Sequence, residues 1–231
     1  MKTTMRAQAV RFGSGMLLMA SMITSCGGCD DDKSAIDARD SVNTKIEAAA
    51  TKGLTALQRE TGAEEGAMLG FRSSADLIAA KLQGPAIPIY YIRLDSLQHY
   101  TGGNPRPLLG AIVEYIIPVV VSGKPQSSIL VQWQQDSSMF EAVGYGGART
   151  IAALVDTRAM LSADRGIPID SVFIARVPAL NIEYVAGWTD GSLWLQSIPD
   201  SAQLQYAGSD PAASVLVGLR PAALDHNGRA Y

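Results

Sequence analysis

Three acidic residues, Glu114, Glu141 and Glu183, each lie inside a stretch that reads as a β-strand, where carboxylates are uncommon. Two of them converging at roughly 5–9 Å could support glycoside hydrolysis. The plainer reading points all three from the solvent face of a one-sided sheet, and no run of substrate-stacking aromatics accompanies them. The chain has two histidines, His99 and His226, and neither sits in a metalloprotease motif. His99, beside Tyr100 and before a glycine-rich loop, reads as a surface residue, and His226 as part of a frayed polar tail. Gly144-Tyr145-Gly146-Gly147 invites a phosphate-loop reading, but a dinucleotide fingerprint wants Gly or Ala where Arg149 stands. A turn that needs positive φ accounts for the four residues better. The two cysteines, Cys26 and Cys29, are spaced as Cys-Gly-Gly-Cys, a redox or metal signal when taken alone.

Position decides against that signal. Lys2, Arg6 and Arg11 form a basic start, and Phe12 through Thr24 is a short apolar run. The run is shorter than the roughly 20 apolar residues that a bilayer-spanning helix needs, so residues 1–25 read as a signal peptide. It ends Ile23-Thr24-Ser25-Cys26, which resembles the lipobox of bacterial lipoproteins, with Ile where Leu is commoner. The resemblance implies cleavage before Cys26 and acyl chains on that cysteine, whose thioether could then neither form a disulfide nor hold zinc. Two or three acyl chains anchor far better than one, at roughly 0.8 kcal/mol per buried CH₂. With Gly27 rather than Asp following the lipidated cysteine, the analogy with enterobacterial sorting favours the outer membrane in a host that has one.

Cleavage leaves 206 residues with 16 Lys+Arg against 22 Asp+Glu. Such a mildly acidic body is not drawn to anionic headgroups, so the tether must hold it. The acidic balance and the pI near 5.4 argue against nucleic acid as a partner. No cofactor and no metal are expected, and no cysteine follows Cys29, so the body must stand on its core without disulfides.

Residues 26–33 read as the lipidated cysteine and a flexible linker, and 34–70 as a helical segment with apolar positions Ile36, Ile46, Ala49, Ala50 and Leu57. A first α+β half over 71–146 opens with a helix from Ser74 to about Leu82, stopped by Gly84-Pro85. Strands follow at 87–94, 112–121, 127–134 and 139–143, the last three as an antiparallel meander, with Pro118 marking an edge or a bulge. A second half over 147–231 has a helix at 148–161 and strands at 171–177, 182–186 and 193–198, with a further short one at 204–206. Asp190-Gly191 makes a hairpin turn, and a last helix from Pro211 is limited by Pro221. This order gives an α+β fold: helices packed on a curled, mainly antiparallel sheet, in two helix-plus-four-strand halves.

Trp133, Trp188 and Trp194 are the candidate binding residues, with Trp188 and Trp194 flanking the Asp190-Gly191 turn closely enough to pair across the hairpin. From Ser74 to Tyr145 the order of helix and strands is similar to cystatin and PepSY domains, in which a curled antiparallel sheet wraps a helix. That resemblance implies peptidase inhibition or partner binding. Residues 172–207, with Ile198-Pro199-Asp200, are similar to a periplasmic chaperone-like family related to the chloroplast import translocon. Neither carries a functional residue across, since fold is not function. The expectation is a membrane-anchored, non-catalytic module outside the cytoplasm that binds a protein or peptide partner. An inhibitor or chaperone-like factor, and a cell-envelope hydrolase, stand as alternatives.

Mass spectrometry of the native protein should find an N-terminal peptide that starts at an acylated Cys26, and Cys26→Ala should shift the chain from the membrane to the soluble fraction. An unmodified terminus upstream of Cys26 would overturn the lipobox reading.

Overall fold

The computed structural model describes residues 31–199 and 209–226. Cys26, Cys29 and the strand expected at 204–206 lie outside the described residues. A compact unit begins at Ala38.

Helix α1 (Asp31–Glu60) turns Ile46, Ala50, Leu54 and Leu57 to the core at helical spacing. Its first turn takes up residues expected in the linker. Two short helices follow, α2 (Ala63–Met68) and α3 (Ser74–Ala79), the latter capped by Ser73, whose hydroxyl accepts the Asp76 N–H at 3.1 Å. The helix expected to reach Leu82 stops at Ala79, because Lys81–Leu82 form strand β1 on the next sheet strand but one. Strand β2 (Ile87–Tyr91) then gives way to helix α4 (Leu94–His99), shortening the strand expected to Leu94.

Strands β3 (Glu114–Val121), β4 (Lys124–Gln134) and β5 (Met139–Gly146) form the expected meander. Its first turn, Ser122-Gly123, has φ 51 and 75, the left-handed pair that a two-residue hairpin requires. Pro118 lies in the interior of β3, not at an edge, with a register shift between Val119 and Val120 beside it. Its carbonyl accepts from Gln83 N–H, so its missing donor faces the same side, just past the end of β1, and the one bond forgone is the return bond to Gln83.

Helix α5 (Ala148–Arg165) leads to β6 (Phe173–Val177), β7 (Ile182–Thr189), β8 (Ser192–Ser197) and β9 (Ser209–Pro211), and helix α6 (Ala212–Asp225) ends the described fold. Asp190-Gly191 makes the expected hairpin turn, with φ 50 and 73. Pro221 does not end α6 but sits within it. It lies on the solvent side, as does Val217, whose carbonyl loses its helical donor and can bond water instead.

The nine strands among the described residues join one open, mixed and mostly antiparallel sheet in the order β5-β4-β3-β2-β6-β7-β8-β9, with β1 on β3. The fold is therefore α+β, and the two expected halves share a sheet through the parallel pair β2–β6. Side chains alternate between its faces. One face carries α1 over β3–β5 and, over β6–β8, α4 and α6; the other carries α5 across the middle. Gln98 in α4 donates to the Ala223 carbonyl at 2.7 Å and Arg220 donates to the Gln98 carbonyl at 2.9 Å, locking α4 to α6. Among the described residues no helix is long and apolar enough to cross a membrane.

The closest approach of α1 to the sheet is at Gly53, where an added Cβ would stand 2.5 Å from the Ala142 Cβ. Gly53→Ala should lower stability by about 1–3 kcal/mol through overpacking, although Ala favours helix by about 1 kcal/mol. Urea unfolding should show most of that loss recovered when Ala142→Gly is added. A stabilised single variant would mean that the helix does not pack this closely.

Candidate functional site

The sequence places an apolar edge beside the face of α1 that carries Lys45 and Lys52. On β4 and β5, Trp133 and Phe140 are cross-strand partners, their rings 5.0 Å apart edge to face, and Tyr115 of β3 meets Phe140 at 5.8 Å. This row packs on the α1 core, yet Trp133 remains 37% exposed and Met139 51%. Together with α1 these strands enclose a groove of about 660 Å³. Its helix wall is Lys45, Ala49, Lys52 and Ala56; its floor is Trp133, Phe140 and Ala142; Glu141 stands on the strand-side rim. Tyr145 closes one end, donating its hydroxyl to the Gly53 carbonyl at 3.3 Å. Burial, then the nearby Glu60 charge, hold that phenol's proton more tightly than in an exposed tyrosine. The described groove wall offers no histidine or cysteine; its polar groups are Lys45, Lys52, Ser138, Glu141 and Tyr145.

Strand acids gather elsewhere, on the face that carries α5. Arg176 of β6 reaches Glu183 of β7 at 2.6 Å and Glu114 of β3 at 3.7 Å, and donates to the Tyr91 hydroxyl at 3.2 Å. Tyr91 donates in turn to Glu114, whose other oxygen accepts from Gln132 at 3.2 Å. Burial, then the bond to Glu114, raise the Tyr91 pKa, while Arg176 opposes them. Burial works most strongly against the Arg176 charge, but Glu183 and Tyr91 together outweigh it and the guanidinium is held charged. Two of the three acids thus converge, but on a cation between them. Glu114 is only 13% exposed, contrary to a place on a solvent face. Glu141 is exposed beside Gln132 and makes no ion pair among the described residues.

The hairpin tryptophans do not pair. The register sets Trp188 against Leu193 and Trp194 against Gly187, which puts the two indoles on opposite faces of the sheet. Arg106 stacks over Trp188 at 4.7 Å and Arg165 over Trp194 at 3.5 Å, and both rings are half-buried against core. Of the three tryptophans, Trp133 alone lines the α1–β5 groove. His99 is exposed on α4, its Nδ1 2.7 Å from the Asp95 carbonyl, and His226 is the residue that caps α6. Gly146 and Gly147 take φ 122 and 75, the positive values expected of a strand-to-helix turn. Among the described residues, no group of three or more His, Cys, Asp or Glu is placed to hold a metal ion.

Sequence reasoning missed Lys45, Lys52, Phe140 and Tyr145. A signal was there: Lys45, Lys52 and Arg59, and beside them Val42, Ala49 and Ala56, repeat at seven residues.

Comparison with protein-family models, curated proteins and solved structures finds no match.

Removing the cation should expose what the polar cluster does. Arg176→Met leaves Glu114 and Glu183 without their counter-charge and should cost about 2–4 kcal/mol in a denaturant melt at neutral pH. The raised Tyr91 pKa means that the native state keeps a proton the unfolded chain releases. Stability from it is complete below the ordinary tyrosine pKa of about 10 and is lost as pH rises through the raised value. Tyr91→Phe should therefore flatten the alkaline fall in stability, and an unchanged profile would remove Tyr91 from that account.

Proposed function

We propose that this chain is a lipid-anchored module of the cell envelope, held through Cys26, that binds a protein or peptide partner in the groove between α1 and β5 and performs no catalysis of its own. The leader and lipobox support the address. The observation that carries the binding reading is the exposed Trp133–Met139 surface opening on a groove of about 660 Å³. Pockets for specific partners have this character, with aromatic anchors set in a small polar frame. The groove wall holds no histidine or cysteine, and its Tyr145 hydroxyl is spent on the Gly53 carbonyl. Two of the three strand acids that would serve a hydrolase, Glu114 and Glu183, are tied to Arg176 and Tyr91 instead. An inhibitor working through an aromatic hairpin tip is disfavoured by the opposed faces of Trp188 and Trp194.

Photo-crosslinking in living cells tests this. A crosslinker at Ala48 or Met139 should give one discrete adduct, which Trp133→Ala reduces at least about fivefold, equivalent to about 1 kcal/mol. The same group at Met160, exposed on α5, should give none. Equal adducts from all three positions, or none from the groove, would refute the reading.

A further inference from the structure

The groove's charge and shape define its occupant more narrowly, an inference that rests on the binding reading above. Lys45, Lys52 and Arg59 are exposed and lie seven residues apart along α1. Seven residues fall about 20° short of two full turns, so the three cations form a nearly straight ridge about 21 Å long. None of them makes an ion pair among the described residues. Two carboxylates lie nearby, Glu141 across the groove and Glu60 beside Arg59, so the positive end is at Lys45 and Lys52. Between ridge and sheet the helix offers only small side chains, Ala49 and Ala56, with the buried Gly53 below them. A second backbone can come close there.

The edge strand argues against an extended occupant. In the β4–β5 ladder Leu130 pairs with Gly144 and Val131 with Ala142, leaving Val143 as a bulge in mid-strand. Bulges of this kind twist an edge away from strand addition. A second copy of the chain is disfavoured as well, because its own α1 would set lysine against lysine.

We infer that the groove takes an acidic amphipathic helix of a partner protein, lying along α1 with carboxylates against Lys45 and Lys52 and an apolar side chain over Trp133 and Phe140. Binding then falls with added salt, since exposed pairs are screened. The apolar contact with Trp133 is not screened and fixes the register.

Three synthetic helical peptides of about 21 residues test this on the full mature chain. They share one leucine stripe and carry Glu, Gln or Lys every seventh residue; titration is followed by tryptophan emission, with Trp133→Phe as the control. The Glu peptide should bind at least about tenfold more tightly than the Gln peptide, and the Lys peptide should not bind. Lys45→Glu with Lys52→Glu should reverse that order while leaving the circular dichroism unchanged, since both positions are exposed and Glu and Lys favour helix alike. Equal binding of all three peptides would overturn the acidic partner and keep the groove. Binding of none would overturn both. Association with phosphatidylglycerol vesicles that Lys45→Glu and Lys52→Glu abolish, without peptide discrimination, would mean a membrane surface instead.

Discussion

The parallel pairing of β2 with β6 is the constraint on which the rest of the structure depends. Among the described residues it is the one parallel contact in a sheet whose other pairings are antiparallel, and it fuses two meanders into a single layer. A parallel pair must be buried on both faces. Here Ile89 and Ile174 face α5, while Tyr90 and Phe173, in edge-to-face contact at 4.7 Å, face the α4–α6 side. The helices are therefore not decoration on a finished sheet; α5 on one face, and α4 with α6 on the other, cover surfaces that the seam would otherwise expose. Once the centre is covered twice, the open surfaces fall to the ends of the sheet, and the α1–β5 end is where an apolar groove is left.

The parts of this arrangement that show in the sequence are those fixed by local chemistry. Ser122-Gly123 and Asp190-Gly191 announce their hairpins because only such residues accept left-handed φ at both turn positions. Gly146-Gly147 and the long helix after it are legible for the same reason. The single sheet is not legible, since nothing in Ile87–Tyr91 or Phe173–Val177 says that one will lie beside the other across about eighty residues of chain. Helix α4 is missed because six residues, LDSLQH, carry too little periodicity; it is held by Gln98 and Arg220 across to α6. Pro221 misleads because a proline on the solvent side of a helix leaves only a carbonyl that water can reach.

The candidate site follows the same division. Trp133 stands out by residue type alone, and its exposure places it in the groove. Trp188 and Trp194 stand out equally, but the parity of a hairpin decides which partners share a face. Two residues that flank a turn pair only when they are equidistant from it. Trp188 lies two residues before Asp190, whereas Trp194 lies three after Gly191, and that single step sends the rings to opposite faces. The lysines of α1 look like an ordinary solvated face until the sheet edge is set beside them.

The fate of the strand acids sets the two faces of the sheet apart. Where α5 stops covering its side of the sheet, the next positions on β3, β2, β6 and β7 are Glu114, Tyr91, Arg176 and Glu183. These groups satisfy one another across four strands. Glu114 and Glu183 are turned toward Arg176 and Tyr91 within the sheet face. The opposite face has no such network at the β5 end. Its aromatic row is capped by one helix wall instead of two, and the free energy of covering Trp133 and Met139 is available to a partner.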